Sequence, residues 1–331
     1  MLGHLGGDQG RARVATAWSA RTDKGNMMTL PLRVTDLALE RIERAASTID
    51  AVFRDSPQFV DEQLCAALGR RVLVKVETVN PLRSFKGRGA DFLVRGLDKS
   101  RRVVCASSGN FGQALTYSGV RRGIEVRVFV PADANRTKLA RLRTLGGLVT
   151  QTGVDFDTAK EIARDHAGQH PGYVYIEDGA VAAVAEGAGT IGVELMQAGP
   201  LDAVVVPVGG ALISGVGRWI KEHSPHTRIV GVCARGAPAM AESWRTGKPV
   251  STERVDTIAD GIRIRVPVPE AVAWMRQVVD DVVLVEDAAL LDGVRLAAEA
   301  LGLVLEPAGA AGLRPFASTA TGCPVIGSPR Y

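Results

Sequence analysis

The feature that most constrains this 331-residue chain is a recurring three-part unit. A short apolar run without polar alternation enters a turn of small residues, and a helical stretch follows. Val103-Val104-Cys105-Ala106 enters Ser107-Ser108-Gly109-Asn110 and a helix beginning at Phe111. The most hydrophobic run, 203–208, enters Gly209-Gly210-Ala211-Leu212 and a helix near 213–222. Continuous apolar strands are buried on both faces, and β-α alternation of this kind builds parallel, doubly wound sheets. Further strands are predicted at 72–77, 126–130, 148–151, 173–176, 228–232 and 282–285. Helices are predicted over 35–54, 57–69, 137–145, 158–167, 181–197 and 287–301. The helix over 57–69 should stop at Gly69, and that over 158–167 should open with a capping box from Thr158 to Glu161. The fold class is therefore α/β.

Composition narrows the function. Aromatic residues make up only 5% of the chain against 37 glycines, a balance suited to helices lying close on a sheet. Forty cationic side chains face 36 anionic ones, spread along the sequence. The densest basic cluster, Arg136, Lys138, Arg141 and Arg143, alternates with Leu139, Leu142 and Leu145 at helical spacing. That is a solvated helix face, so nucleic acid is excluded as a partner. No apolar stretch reaches the length of a membrane span, which excludes a membrane-spanning helix. Cys65, Cys105, Cys233 and Cys323 lie far apart and read as free thiols of a reducing, cytoplasmic compartment. Residues 1–28 lack the apolar core of a secretory signal and are expected to form a disordered extension. His166 with His170, and His223 with His226, have metal-like spacings but no third ligand, so no metal is expected.

Three turns carry the candidate chemistry. In Asn80-Pro81-Leu82-Arg83-Ser84-Phe85-Lys86-Gly87-Arg88-Gly89, a lysine stands at a strand-to-helix corner. Partial desolvation and nearby helix N–H groups favour its neutral, nucleophilic form, as a Schiff-base lysine requires. A solvated lysine in a surface turn would look the same in isolation. Ser107-Ser108-Gly109-Asn110 offers hydroxyls, N–H groups and a carboxamide, although an ordinary capped turn also accounts for it. Gly209 to Leu212 lets backbone N–H groups approach an anion at a helix start. Gly209 to Gly217 lacks the dinucleotide spacing, so a monophosphate suits it better than a nucleotide. Open α/β sheets bind ligands at the C-terminal edge of their strands, where all three turns lie. An amine, a phosphate site and a carboxylate-binding turn are together what pyridoxal phosphate carrying an amino acid needs.

These segments resemble those of fold-type II pyridoxal-phosphate enzymes, in particular the serine/threonine dehydratase and serine racemase group. Asn80 to Ala90 resembles the Schiff-base motif, Ser107 to Tyr117 the substrate-carboxylate loop, and Pro207 to Gly215 the phosphate loop. Thr257 to Gly261 and Leu305 to Ala310 are similar to segments near the pyridine edge. The resemblance implies a tryptophan synthase β-like fold of two doubly wound parallel-sheet domains. The large domain would comprise 29–101 and 179–331, and the small one 102–178 would close over substrate. It implies pyridoxal 5'-phosphate as cofactor, with Lys86 forming its imine and moving the Cα proton. Phe85 would pack beside the ring, Asn110 bond its 3'-oxygen, and Glu306 lie at its edge. Gly209, Gly210, Ala211 and Leu212 would hold the phosphate, and Ser328 would face the ring nitrogen. Ser107, Ser108, Gly109, Asn110 and Phe111 would form the substrate-carboxylate site, Ser108 doubling as an opposite-face acid. A homodimer is expected.

Departures from the pattern are specific. Leu82-Arg83 stands where Thr-Gly is usual, Phe111 replaces a common histidine, and the phosphate loop is one glycine shorter. Cys233 to Ala239 lacks the carboxylates of the group's divalent-ion site. Glu186, opening Glu-Gly-Ala-Gly-Thr, should face the cofactor and could orient substrate or leaving group. The expected reaction is β-elimination from a small β-hydroxy amino acid such as L-threonine or L-serine, giving a 2-oxo acid and ammonia. Racemisation or β-replacement on the same scaffold, and a catalytically silent amino-acid binder, are the alternatives.

Overall fold

The structure is a computed structural model that describes residues 37–134 and 136–313. The expected extension 1–28, Cys323 and Ser328 lie outside the described residues. The chain opens with α1 (Leu39–Thr48), a 3-10 turn at Ala51–Phe53, β1 (Gln58–Val60), α2 (Glu62–Leu68) and β2 (Leu73–Lys75). Next come α3 (Lys86–Arg95), β3 (Arg102–Ala106), α4 (Asn110–Val120), β4 (Val126–Val130), α5 (Arg136–Thr144) and β5 (Leu148–Gln151). After α6 (Phe156–Gln169) and β6 (Tyr173–Tyr175) the chain forms α7 (Ala182–Met196), β7 (Ala203–Pro207), α8 (Ala211–His223) and β8 (Arg228–Ala234). It continues through α9 (Ala239–Thr246), α10 (Pro269–Val278), β9 (Asp281–Val285), α11 (Asp287–Leu301) and α12 (Pro307–Ala310).

Two sheets are parallel, as their unbroken apolar strands require. One has the order β5-β4-β3-β6 and the other β7-β8-β9. β1 and β2 differ: they form an antiparallel pair with Phe59 opposite Val74. The helix expected over 57–69 starts only at Glu62, capped by Asp61, because Gln58–Val60 form β1. It ends where expected, at Gly69 in the left-handed region (φ 65°). α6 begins earlier than its Thr158 box suggested. The Asp155 carboxylate accepts from both the Thr158 N–H (2.8 Å) and the Thr158 hydroxyl (2.7 Å), so Asp155 is the cap. α8 likewise starts at Ala211, directly on the glycine turn.

One apolar cluster joins α1, α3, α4 and α7 to the β3–β4 sheet through Ala45, Ala90, Val103, Leu115, Val128 and Val184. A second packs α8 and α10 on β7 and β8 through Val206, Ile213, Ile229 and Met275. Small residues set how closely the helices approach. A Cβ on Gly89 would lie 2.4 Å from the Val184 carbonyl oxygen, and one on Gly187 would lie 2.7 Å from that of Arg88. Gly89 and Gly187 thus bring α3 against α7.

Candidate active site

Lys86 stands at the first position of α3, and the turn before it is tied to itself. Asn80 donates to the carbonyls of Glu77 (2.9 Å) and Ser84 (3.2 Å), and its Oδ1 accepts from Leu82 N (2.9 Å). Arg83 holds φ at 56°, in the left-handed region that favours glycine. This is the position where the resembled motif carries glycine. The Ser84 hydroxyl accepts from the Lys86 N–H (3.2 Å). The Lys86 ammonium lies 2.5 Å from Asp178 Oδ2, 4.7 Å from the Phe85 ring centroid and 5.8 Å from that of Phe111. Its side chain is 12% exposed.

A cavity of about 2400 Å³ opens beside this amine. Phe85, Lys86, the whole turn Ser107 to Phe111, Gly209, Leu212 and Glu306 line it. Gly210 and Ala211 are buried immediately behind. Asn110 Nδ2 reaches both carboxylate oxygens of Glu306, at 3.1 and 3.2 Å across 196 residues of sequence. The Ser107 hydroxyl accepts from the N–H groups of Gly109 (3.3 Å) and Gly112 (3.0 Å), so it holds the turn in shape. That leaves the Asn110 and Phe111 amides, in the first turn of α4, without an acceptor among the described residues.

The glycine turn meets the needs of a phosphate. Four consecutive amides, Gly209 to Leu212, have no acceptor among the described residues and stand at the positive end of the 13-residue α8. Gly210 has φ 108°, and a Cβ there would lie 2.7 Å from the Ala271 Cβ, so only glycine forms the cradle without strain. An amine, an anion cradle and a second set of free helix-start amides on one cavity fit pyridoxal phosphate and an amino-acid carboxylate.

Two groups escaped sequence reasoning. Asp178 follows β6 at the C-terminal edge of a parallel sheet, and that edge position is the signal that could have found it. Arg88 is fully buried. It binds Glu194 (2.5 and 2.9 Å), Glu77 (2.9 Å through both Nε and Nη2), the Thr190 hydroxyl (2.9 Å) and the Ser56 hydroxyl (3.0 Å). Burial alone would lower its guanidinium, but hydrogen bonds and charge from Glu194 and Glu77 outweigh this and raise it above its usual value. Burial pushes the Glu194 carboxyl up, and Arg88 and Lys75 overcome that and bring it below its usual value.

Glu186 is a correction. Its carboxylate accepts from the Ala38 N–H (3.2 Å) and from Arg41 Nε (2.5 Å), so it caps the start of α1 and does not line the cavity. His166 and His170 stack at 4.1 Å, with the His170 ring on the His166 carbonyl. Three of the four basic residues of α5 are partnered: Lys138 with Asp260, Arg141 with the Pro81 carbonyl and Arg143 with Gln151. Burial pushes the thiols of Cys105 and Cys233 up to about 12, which makes them inert.

A family model described as pyridoxal-phosphate dependent enzyme matches residues 54–322. An L-threonine ammonia-lyase of Thermotoga maritima is 33% identical over 282 residues, 84% of this chain and 70% of that protein. A biosynthetic L-threonine dehydratase of Pasteurella multocida is 32% identical over 77% of this chain, which spans only about half (51%) of that relative. The solved structure of maize serine racemase superposes with a TM-score of 0.79 at 28% identity, over 86% of this chain and 87% of that one. With the amine, the anion cradle and the fold in agreement, the chain belongs to the pyridoxal-phosphate dependent enzymes of fold type II, and its cofactor is pyridoxal 5'-phosphate.

Proposed function

We propose that this enzyme is a lyase that removes the β-hydroxyl of a small amino acid such as L-threonine or L-serine, giving a 2-oxo acid and ammonia. The observation that carries the reading is one cavity shared by the Lys86 amine, the free amides of α4 and the Gly209–Leu212 cradle. Pyridoxal phosphate, when bound, supplies an electron sink for the bond broken at Cα. The chain's residues do the rest. Lys86 would hold the cofactor covalently and, once the substrate's own amine has displaced it from the cofactor, would be the neutral amine that takes the Cα proton. The amides of Gly209, Gly210, Ala211 and Leu212 would hold the phosphate. Phe85 would pack beside the ring, and Asn110, held by Glu306, would bond the ring oxygen. The turn Ser107 to Phe111 receives the substrate carboxylate through its amides, and Ser328 is the group assigned to the ring nitrogen.

Water must be excluded while a reactive product is held. The segment 102–178 is proposed to close as a small domain over the large one. Two ion pairs between groups on the cavity wall support this, Arg265 with Asp157 and Lys138 with Asp260. A cytoplasmic homodimer is part of the same proposal.

Ser108 lines the cavity with Lys86, so a second proton-transfer group is available, and racemisation is the second reading. The test is to incubate the holoenzyme with L-serine and L-threonine, measuring 2-oxo acid, ammonia and the D-enantiomer. Stoichiometric 2-oxo acid and ammonia are expected. D-serine formed faster than pyruvate would replace the lyase reading with the racemase one.

A further inference from the structure

Asp178 lines the cavity beside Lys86. Its Oδ2 lies 2.5 Å from the Lys86 amine, and its side chain is about one-third exposed, at 32%. Its Oδ1 is buried without a hydrogen-bond partner among the described residues. The nearby cations are engaged elsewhere: Lys160 and Arg164 both pair with Glu177, at 2.8 and 3.1 Å. Among the described residues, Lys86 is the sole cation within ion-pairing distance of Asp178.

On the reading above, Lys86 takes the Cα proton only as a neutral amine. At that moment the Asp178 carboxylate has lost its cation. An ionised carboxylate only accepts hydrogen bonds, and a half-buried one without a donor is costly. What stands beside the Lys86 nitrogen then is the substrate's Cα and the group on its β-carbon. We propose that Asp178 is a specificity determinant that reads this β-substituent. It accepts from a β-ammonium or β-hydroxyl and repels a β-carboxylate. The order of binding is β-ammonium, then β-hydroxyl, then a bare methyl, with β-carboxylate last. This rests on the placement of Lys86 at the reacting carbon. It extends that reading from small amino acids to those whose side chain donates hydrogen bonds and bears no negative charge.

The test uses holoenzyme and four probes that differ at the β-position: L-2,3-diaminopropionate, L-serine, L-alanine and L-aspartate. Binding is read from the rapid change in the bound cofactor's visible spectrum, independently of turnover. Wild type should bind the diamino acid at least about tenfold tighter than L-alanine, as a charge-assisted hydrogen bond predicts, and L-aspartate about tenfold weaker. Asp178→Asn should lose the advantage of the diamino acid and gain about tenfold for L-aspartate, with L-alanine unchanged. The wild-type ranking tests the idea even if the variant fails to fold. Equal wild-type binding of L-aspartate and L-serine would overturn it, as would an Asp178→Asn variant that shifts all four probes alike. If no amino acid perturbs the spectrum, the placement of Lys86 itself is wrong and the inference falls with it.

Discussion

Lys86 and Arg88 sit two residues apart at the start of α3, and their surroundings diverge. Arg88 is 0% exposed, and all three of its guanidinium nitrogens are bonded, to two carboxylates and two hydroxyls. Lys86 has one carboxylate, two aromatic rings and an open cavity. Arg88 neutralises the buried Glu194 and the partly buried Glu77 and pins α3 against α7, while Gly89 allows the approach. Held by that anchor, Lys86 keeps its position while its nitrogen stays available. The comparison teaches that partner saturation, more than charge or helix position, separates the anchoring cation from the one proposed to react.

The largest effect should come from the open member of the pair. Lys86→Ala is expected to lower kcat/KM by about 10³-fold or more, the scale of losing the group that transfers the proton and holds the cofactor. Its thermal melt should stay close to wild type, and a large drop in Tm would mean that Lys86 is structural too. Arg88→Met should do the reverse. Removing one partner of a buried ion network costs about 3–5 kcal/mol, measurable by urea unfolding. A loss below about 1 kcal/mol would erase the contrast.

The same network sets a pH dependence. Glu194 is held below its ordinary value of 4.5, so the folded state binds its proton less tightly than the unfolded chain does. Its contribution to stability is therefore present above about pH 4.5 and is lost as the pH falls through the lower folded-state value. Acid unfolding of wild type should steepen below that point. In Arg88→Met the depression should largely vanish and the acid midpoint move to higher pH. Unchanged acid midpoints would detach Glu194 from the network. The smallest effect belongs to the turn that presents Lys86: Arg83→Gly relieves a left-handed backbone and should stabilise by up to about 1 kcal/mol, offset in part by glycine's greater unfolded-state entropy. Destabilisation would show that the Arg83 side chain, not the turn, matters there.

Local signals made much of this molecule readable. The apolar strands of the two parallel sheets, the Gly69 stop and the turns after β3 and β7 depend on neighbours a few residues away, and they stand in the structure as expected. The strand before the Lys86 turn is instead an antiparallel pair with β1. α10 was missed although Pro269 and the apolar spacing of Ala271, Val272, Trp274, Met275 and Val278 announce it. Groups whose partners are distant in sequence were not legible. Lys86 meets Asp178 across 92 residues, Arg88 meets Glu194 across 106, and Asn110 meets Glu306 across 196. Glu186 misled for a physical reason: glycines beside a carboxylate signal a close helix-helix approach as readily as a ligand face.

The central claim is that one particular nitrogen carries the cofactor. Lys75, Lys138 and Lys160 line the same cavity as Lys86, so the choice among four lysines is a real one. Borohydride reduction of the holoenzyme, followed by digestion and peptide mass mapping, fixes the cofactor to the lysine that held it. The account predicts the added mass on the peptide containing Lys86 and nowhere else; finding it on Lys75, Lys138 or Lys160, or on no lysine, would contradict it.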